Sequence, residues 1–540
     1  MHIVDLSRLT DRVVGRILTE QAAHAGDARW LMSDDRVVTF GEARDAVSRI
    51  AASLAGFGVG RGDVVAVHMD ASIDLVLAGI GASELGARFA PMSTDYHGEF
   101  LSRNIAASTA EVLVTDARLA GQYASLADLG RVRHLVVAGK ADLDPLRRPG
   151  LAVHDFEELL TNEPIALPSV AAHDDVLMMW WSSGTTGAPK GIMQTHAGLM
   201  RSASYWIRDR DVREDEVWYS CLPMYLGGAY TTALWPSLVS GTAVGIDASL
   251  SVSRFWDRVR HYRATQIFTL GAMHMFLMQA PERPDDRDNS VRCAVPVPLP
   301  WSQVPRFKER FGIPDVQQAY GQSEVPCRIF AAPDDGTPWR DNAIGRPVPW
   351  LDVRLVDEND EDVPVGEVGE IIVRPKEPNL LFAGYFNAPD VTARTWRNLW
   401  HHTGDLARAE PDGQYFFADR KKDYIRYKGR NISMVEVEAV VAGHPEVAEV
   451  AAFGRQSAEL ESEAELALAV VARAGASLVA EELARFINDH APYYFVPRYI
   501  EIVDDLPRNA QFKTDKVALR SRPLADGAWD RDLAGFEVSR

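Results

Sequence analysis

Residues 176–191 read VLMMWWSSGTTGAPKG, six apolar residues that stop abruptly at a run of small, hydroxyl and glycine residues. A continuous apolar run of that length, bounded by turn residues, is expected to be a buried strand that feeds an exposed, flexible loop. The same alternation of element types recurs upstream. In residues 38–67, VTFGEARDAVSRIAASLAGFGVGRGDVVAV, helically spaced apolar positions give way to a glycine-punctuated turn and a β-branched run. Residues 72–92, SIDLVLAGIGASELGARFAPM, repeat the unit with a helix rich in small residues and a short buried strand reaching Pro91. Successive helix–strand units of this kind predict an α/β fold in which helices cover the sheets. Downstream, LDVRLVDENDEDVPVGEVGEIIVR (351–374) alternates like strands around an acidic turn, which predicts a β-rich subdomain. After FFADRKKD (416–423) the texture changes to a hairpin, YIRYKGRNIS, and then to a helix for which Ser433 and Glu436 form a capping-box pattern and Gly443 and Pro445 are stop signals. The reading is a large N-terminal domain over residues 1–420 and a small α+β C-terminal domain over residues 421–540.

Composition narrows the function classes. A chain of 540 residues with 46% hydrophobic and 25% charged residues has the make-up of an ordinary folded enzyme. Its 57 Lys and Arg against 76 Asp and Glu give a net charge of −19, which repels nucleic-acid backbones and anionic membranes. Cys221, Cys293 and Cys327 are too few for a disulfide framework or a four-thiolate metal site, so a reducing cytoplasm is expected. The N-terminal stretch breaks its apolar positions with charges and lacks the apolar middle of a signal peptide. No apolar run reaches the ~18 residues that suggest a membrane span.

The loop after Trp181 is suited to phosphate. Backbone N–H groups of a glycine- and hydroxyl-rich loop (Ser183, Gly184, Thr185, Thr186, Gly187) can wrap phosphate oxygens while Lys190 neutralises charge. It is not a Walker A loop, because Lys190 is followed by Gly191 and preceded by Pro189. No G-x-S-x-G nucleophile elbow is present, and His401 and His402 lack partners at metal-ligand spacing, so a loop role is expected for them.

WSSGTTGAPKG resembles the signature loop of the adenylate-forming (ANL) superfamily, which includes acyl-CoA synthetases, peptide-synthetase adenylation domains and luciferases. Further matches follow in order: AYGQSE (319–324) is similar to Y-G-x-[ST]-E, HHTGD (401–405) to T-G-D, DRKKDYIRYKG (419–429) to D-R-x-K-D-x-I-K-x-x-G, and LPRNAQFK (506–513) to L-P-R-T-x-x-G-K. The tail from about residue 490 resembles most the crotonobetaine/carnitine-CoA ligase branch. The resemblance covers nearly the whole chain and implies ATP, Mg²⁺ and coenzyme A as cofactors. It places Lys190 on the triphosphate, Glu324 on Mg²⁺ with the Ser323 hydroxyl beside it, and Tyr320 and Gly321 at the adenine. It also places Asp405 and Arg420 on the ribose, and Lys513 between the substrate carboxylate and the α-phosphate. CAVPVPLP (293–300) lies where the family has G-G-A-P, so Val297 and Pro298 are expected to flank the adenine. The small domain is implied to be mobile, rotating about a hinge near Lys422 between two half-reactions, with Arg426, Lys428 and Gly429 toward the coenzyme A channel. Residues 419–430 carry a local charge of +4, which suits that position. Phe512 stands where the family has glycine.

CLPMYLGGAY (221–230) corresponds to the family's P-x-F-H-x-x-G, with Leu226 at the histidine position. Tyr225, Leu226, Gly227 and Gly228 are the expected acyl-pocket wall. The two glycines are expected to leave room for a bulky apolar acid, and no acidic residue is present to pair with an amino acid's ammonium. IFTLGAMHMFLM (267–278) could line an adaptable apolar pocket or simply pack the core. The expected function is ATP-dependent activation of a small-molecule carboxylic acid followed by transfer to coenzyme A. The rivals are an acyl-AMP ligase that passes the acyl group to a separate carrier protein or an amine, and a non-catalytic adenylate-binding protein that has lost activity through Leu226, Val295 to Pro298 and Phe512.

Overall fold

The computed structural model describes residues 2–167, 170–182, 190–331, 340, 343–420, 424–427, 430–456, 464–507, 514, 516–525 and 527–539. The architecture is α/β, as expected. The chain divides into two compact units, one of residues 1–94, 108–181 and 191–419, the other of residues 95–107, 182–190 and 420–540.

The first unit holds three sheets. The strand read from VLMMWW, Val176–Ser182, lies inside an eight-stranded sheet whose order runs Gly384–Tyr385, Lys190–Thr195, Val176–Ser182, Arg88–Pro91, Val64–His68, Val112–Asp116, His134–Ala138, Ala152–Asp155. From Val176–Ser182 to Ala152–Asp155 the neighbours are parallel, and Val64–His68 is buried at every position. Parallel strands covered by helices on both faces read as continuous apolar runs for this reason. A second sheet of seven strands centres on Val217–Ser220, Ala243–Ile246, Gln266–Leu270 and Cys293–Val297, paired in parallel. One cluster of buried side chains runs from both sheets onto the helices Val14–Ala25, Phe40–Gly56, Ile73–Glu84 and Trp235–Ser240. The small residues of Ile73–Glu84 permit close packing, since a methyl group on Gly79 would meet the Phe89 ring at 2.9 Å and one on Gly81 would meet Ile50 at 2.6 Å.

Helix Phe40–Gly56 starts where Thr39 and Glu42 cap each other: the Glu42 N–H donates to Thr39 Oγ1 (3.2 Å) and the Thr39 N–H to Glu42 Oε2 (2.8 Å). This satisfies two of the helix's unpaired donors and contributes about 0.5–2 kcal/mol. The side chain of Ser433, the corresponding expectation at helix Met434–Ala442, lies outside the described residues.

The third sheet is the β-rich part expected from residues 351–374. It runs Ala319–Tyr320, Phe330–Ala331, Ala343–Pro347, Tyr415–Arg420, His401–Ala409, Val368–Pro375, Leu351–Val356, with antiparallel neighbours. In the second unit the hairpin Tyr424–Tyr427/Arg430–Ser433 and a four-stranded sheet around Val447–Gln456 and Ala464–Ala472 pack with helices Met434–Ala442 and Ala480–His490. Its core also takes in Phe100 and Tyr96, from the segment 95–107. Among the described residues no helix is long and apolar enough to cross a membrane.

Cys221, Cys293 and Cys327 are all free and buried, and burial pushes each thiol up to about 12. A thiol reagent such as DTNB should therefore release no thiolate from the native protein at pH 8 and three equivalents per chain in denaturant. Rapid native labelling would contradict this burial.

Candidate active site

The residues expected around the nucleotide come from the edge strand Ala319–Tyr320 of the third sheet, its interior strand His401–Ala409 and the loop after Tyr320. Strand His401–Ala409 pairs with Val368–Pro375 in a broken register: Ile372 faces His402 and Glu370 faces Leu406, so the triplet Thr403, Gly404 and Asp405 stands opposite Ile371 alone. Such a bulge re-aims a side chain out of the alternating pattern of the strand. Gly404 adopts φ +71°, a left-handed conformation that glycine accepts without strain. Three hydrogen bonds hold the bulge. Thr403 Oγ1 donates to the Ile371 carbonyl (2.7 Å), the Asp405 N–H donates to Thr403 Oγ1 (3.1 Å), and the Gly404 N–H donates to Glu370 Oε1 (3.1 Å).

Asp405 is thereby delivered, 3% exposed, to the loop that carries Tyr320. The Tyr320 hydroxyl and Gln322 Nε2 (2.8 Å) both donate to Asp405 Oδ2, and Gln322 Nε2 also donates to the Thr403 carbonyl (2.9 Å). His401 Nε2 lies 3.3 Å from Gln322 Oε1. Burial pushes the His401 imidazole down to about 3, so the ring is neutral near pH 7 and serves as a fixed partner in the strand. The aromatic face of Tyr320 meets Phe330 edge-on, with ring centroids 5.6 Å apart.

Ser323 and Glu324 continue the same loop and are held by different segments. Gln194 Nε2, from Lys190–Thr195, donates to the Ser323 carbonyl (2.7 Å), and the Phe382 N–H donates to the Glu324 carbonyl (2.8 Å). These two bonds close the loop against Lys190–Thr195 and the segment that leads into its antiparallel neighbour Gly384–Tyr385. The Tyr385 hydroxyl donates to Glu324 Oε1 (2.8 Å), which orients the half-buried carboxylate. Among the described residues no group of three or more His, Cys, Asp or Glu could enclose a metal ion. Magnesium is commonly held by one or two carboxylates together with substrate phosphates, so a single oriented carboxylate such as Glu324 fits it.

The apolar side is continuous with this constellation. Val297 and Ala319 pack on one small cluster with Trp206, Cys293, Val295 and Phe268. Phe268 and Leu270 lie near Gly228: a methyl group there would meet Leu222 at 3.3 Å, Leu270 at 3.7 Å and Phe268 at 3.9 Å. Of the segment 267–278, then, Phe268 and Leu270 face the expected acyl wall, whereas Ile267 belongs to the core of the second sheet. Pro298 follows Val297, and its carbonyl lies 2.7 Å from His274 Nε2. Tyr225, Leu226, Gly227 and Gly228 are all half-buried. The space beside Gly227 is not open, because a methyl group there would lie 2.9 Å from the Trp180 ring. The expectation that both glycines leave room fails at Gly227, where the indole of Trp180 fills the volume, and at Gly228 a methyl group would already be in contact with Leu222.

Lys190 opens strand Lys190–Thr195 and is half-buried. Ser183, Gly184, Thr185, Thr186, Gly187, Lys422, Lys428, Gly429, Phe512 and Lys513 lie outside the described residues, as do the side chains of Arg420 and Arg426. The structure adds Gln194, Gln322, Glu370 and Tyr385, which the sequence reading passed over. Glu370 carries a visible signal, an acidic residue in the otherwise apolar run IIV and its flanks, and it is 4% exposed.

The chain is similar to known proteins over most of its length. The profile of the AMP-binding enzyme family matches residues 18–386, and that of the AMP-binding enzyme C-terminal domain matches residues 436–513. The chain is 31% identical over 539 residues to the medium/long-chain-fatty-acid–CoA ligase FadD6 of Mycobacterium tuberculosis, covering 94% of this chain and 85% of the relative. It is 30% identical over 482 residues to the crotonobetaine/carnitine–CoA ligase of Salmonella arizonae, covering 88% and 91%. In fold it is similar to the amide bond synthetase McbA from Marinactinospora thermotolerans, with a TM-score of 0.80, 24% identity, and 94% and 99% of the two chains covered. It is likewise similar to the o-succinylbenzoate CoA synthetase MenE from Bacillus subtilis, with a TM-score of 0.78, 23% identity, and 94% and 98% covered.

The two glycines should respond differently to substitution. Gly227→Ala forces a methyl group onto a rigid indole and should cost about 1–3 kcal/mol of stability, as overpacking typically does. Gly228→Ala meets the end of the flexible Leu222 side chain at 3.3 Å, with Leu270 and Phe268 at ordinary contact distance, and should cost less than Gly227→Ala. Urea unfolding midpoints of the two variants check this, and equal stability would contradict the packing at Trp180.

Proposed function

The chain belongs to the family of AMP-binding enzymes, as an adenylate-forming enzyme of the acyl-CoA synthetase type, and from that premise we propose that it converts a bulky, mainly apolar carboxylic acid to its coenzyme A thioester. In the first half-reaction a carboxylate oxygen attacks the α-phosphorus of ATP, the bond to the β-phosphate breaks, and pyrophosphate leaves. In the second, the sulfur of coenzyme A attacks the acyl carbonyl, its thiol proton is lost to solvent, and AMP leaves.

The observation that carries the reading is the meeting of Asp405 with Tyr320 and Gln322 from a loop some eighty residues away. A buried carboxylate of this kind suits the two hydroxyls of a ribose, and Tyr320, Gly321, Val297 and Pro298 are assigned to the adenine beside it. Arg420 is assigned to the same ribose. The first step brings an anion toward an anion, so positive charge must screen the pair. Lys190 and the hydroxyl and glycine residues Ser183 to Gly187 are assigned to the triphosphate, and Lys513 to the carboxylate and α-phosphate. Magnesium, when bound, supplies further charge neutralisation at the phosphates, and Glu324 would hold it with Ser323 adjacent. A hinge near Lys422 would let residues 421–540 exchange one half-reaction for the other, with Arg426, Lys428 and Gly429 toward coenzyme A. Three buried, free thiols support a cytoplasmic setting.

The acid is read from the wall around Gly228. Leu222, Phe268 and Leu270 surround it with apolar surface, and residues 223–233 contain no carboxylate to pair with a substrate cation. Of the two relatives' named substrates, medium- and long-chain fatty acids match that chemistry better than carnitine does.

Lys513→Ala should lower adenylate formation by roughly 10²-fold or more, as loss of a preorganised charge at a transition state does, while a preformed acyl-adenylate is still converted to thioester. Pyrophosphate exchange and single-turnover thioester assays separate the two steps, and normal exchange would reject the assignment. On a panel of acids with coenzyme A, a carrier protein and an amine as acceptors, bulky apolar acids with coenzyme A should give the highest kcat/KM. Gly228→Leu should raise KM for those acids and spare short ones. A preference for acetate or carnitine, or equal damage to all acids, would overturn the substrate reading and leave adenylation standing.

A further inference from the structure

Glu370 sits behind the nucleotide residues and is not itself among the groups assigned to substrate. It lies on strand Val368–Pro375, 4% exposed, at the point where the ladder breaks. One carboxylate oxygen, Oε1, accepts the Gly404 N–H at 3.1 Å. The other, Oε2, lies 3.3 Å from His402 Nδ1 and 3.7 Å from Arg397 Nη2. Arg397 is itself bound to Asp360 at 2.6 Å, and His402 Nε2 lies 3.8 Å from Asp360 Oδ2. A buried carboxylate is costly without such partners, so this group of four charged or ionisable side chains is what allows an acceptor to be kept beneath Gly404. The N–H it holds belongs to the central residue of the bulge, the one with φ +71°. If that N–H were left without an acceptor, the triplet would have reason to relax toward a regular ladder, and Asp405 would turn with it.

We infer that Glu370 is a positioning residue for nucleotide binding: by holding the Gly404 N–H it sets the bulge that aims Asp405 at the ribose hydroxyls. The inference rests on the assignment of Asp405 to the ribose. It assigns to reach, rather than to charge, the property that matters at position 370. Aspartate keeps the charge, and with it the compensation by Arg397 and His402, but is one methylene too short to hold Gly404. Glutamine loses the charge and keeps both the length and an acceptor oxygen.

The test compares ATP with 2′-deoxy-ATP and 3′-deoxy-ATP in the pyrophosphate-exchange reaction of the full-length enzyme, with thermal unfolding of each variant in parallel. The unmodified enzyme should favour ATP over the deoxy nucleotides by roughly tenfold or more, the range expected for a hydrogen bond to a charged group. Glu370→Asp should raise KM for ATP by a similar factor with little change in kcat, leave KM for the deoxy nucleotides nearly unchanged, and so erase the discrimination. Glu370→Gln should retain most of it. Full discrimination in Glu370→Asp overturns the inference, as does a loss in Glu370→Gln equal to that in Glu370→Asp. A parallel loss with all three nucleotides and a lowered unfolding temperature assigns Glu370 to stability alone and also overturns it. An unmodified enzyme that exchanges pyrophosphate without telling the nucleotides apart removes the ribose assignment of Asp405, and this inference with it, while leaving adenylation intact.

Discussion

A buried carboxylate has to be satisfied, and Asp405 imposes that requirement on its own strand and on the loop after Tyr320. Removing an ion of this kind from water costs several kcal/mol, and hydrogen bonds to a charged group return roughly 1.5–3 kcal/mol each. Tyr320 and Gln322 supply two such bonds, so the loop after Ala319–Tyr320 cannot be placed independently of strand His401–Ala409. Gln322 in turn reaches the Thr403 carbonyl and His401, which fastens the same loop to the bulge and to the strand just before it. The neutral state of His401 follows from its burial, and a neutral ring adds no charge to the neighbourhood of the carboxylate.

The loop that meets Asp405 at one end meets a parallel sheet at the other. Gln194 and Phe382 take the backbone of Ser323 and Glu324, and Tyr385 takes the Glu324 side chain. Residues 319–324 therefore bridge an antiparallel sheet and the edge of the eight-stranded sheet, the edge that continues into the strand beginning at Lys190. On its apolar side the same region is joined through Ala319, Val297 and Phe268 to the wall around Gly228. The nucleotide and acyl sites proposed along this run of contacts would be spaced by the scaffold rather than by flexible loops.

Much of the fold was legible in the residues. The helix–strand units of residues 38–67 and 72–92, the strand before the glycine-rich loop and the strands of 351–374 all appear where apolar spacing puts them, because burial acts on periodicities that one sequence displays. The motif residues Tyr320, Glu324 and Asp405 were legible by resemblance. What remained hidden depended on partners distant in sequence. Period-two alternation says nothing about three residues facing one, so the bulge at Thr403 to Asp405 could not be read from HHTGD. Trp180 and Gly227 are 47 positions apart, and a glycine whose missing side chain is filled from a neighbouring strand looks identical to one that leaves a space. Gln322 is unremarkable until the strand that opposes it is known, and the acidic residue at 370, though visible beside an apolar run, has no stated purpose until Gly404 is seen against it.

Residues 95–107 place an early segment of the chain in the second unit. Helix Gly98–Ser108 is encoded early in the chain, yet Phe100 meets Phe495 edge-on at 6.0 Å and His97 Nε2 lies 3.3 Å from the Asn488 carbonyl. A fragment ending near residue 419 would carry Tyr96 and Phe100 stripped of their cover, and a fragment beginning at 420 would fold around a core with a missing wedge. Uncovered aromatic surface of that kind promotes self-association. A cut at a single junction near residue 420 would therefore divide the core of the second unit, and a fragment that keeps this core whole has to carry residues 95–107 as well.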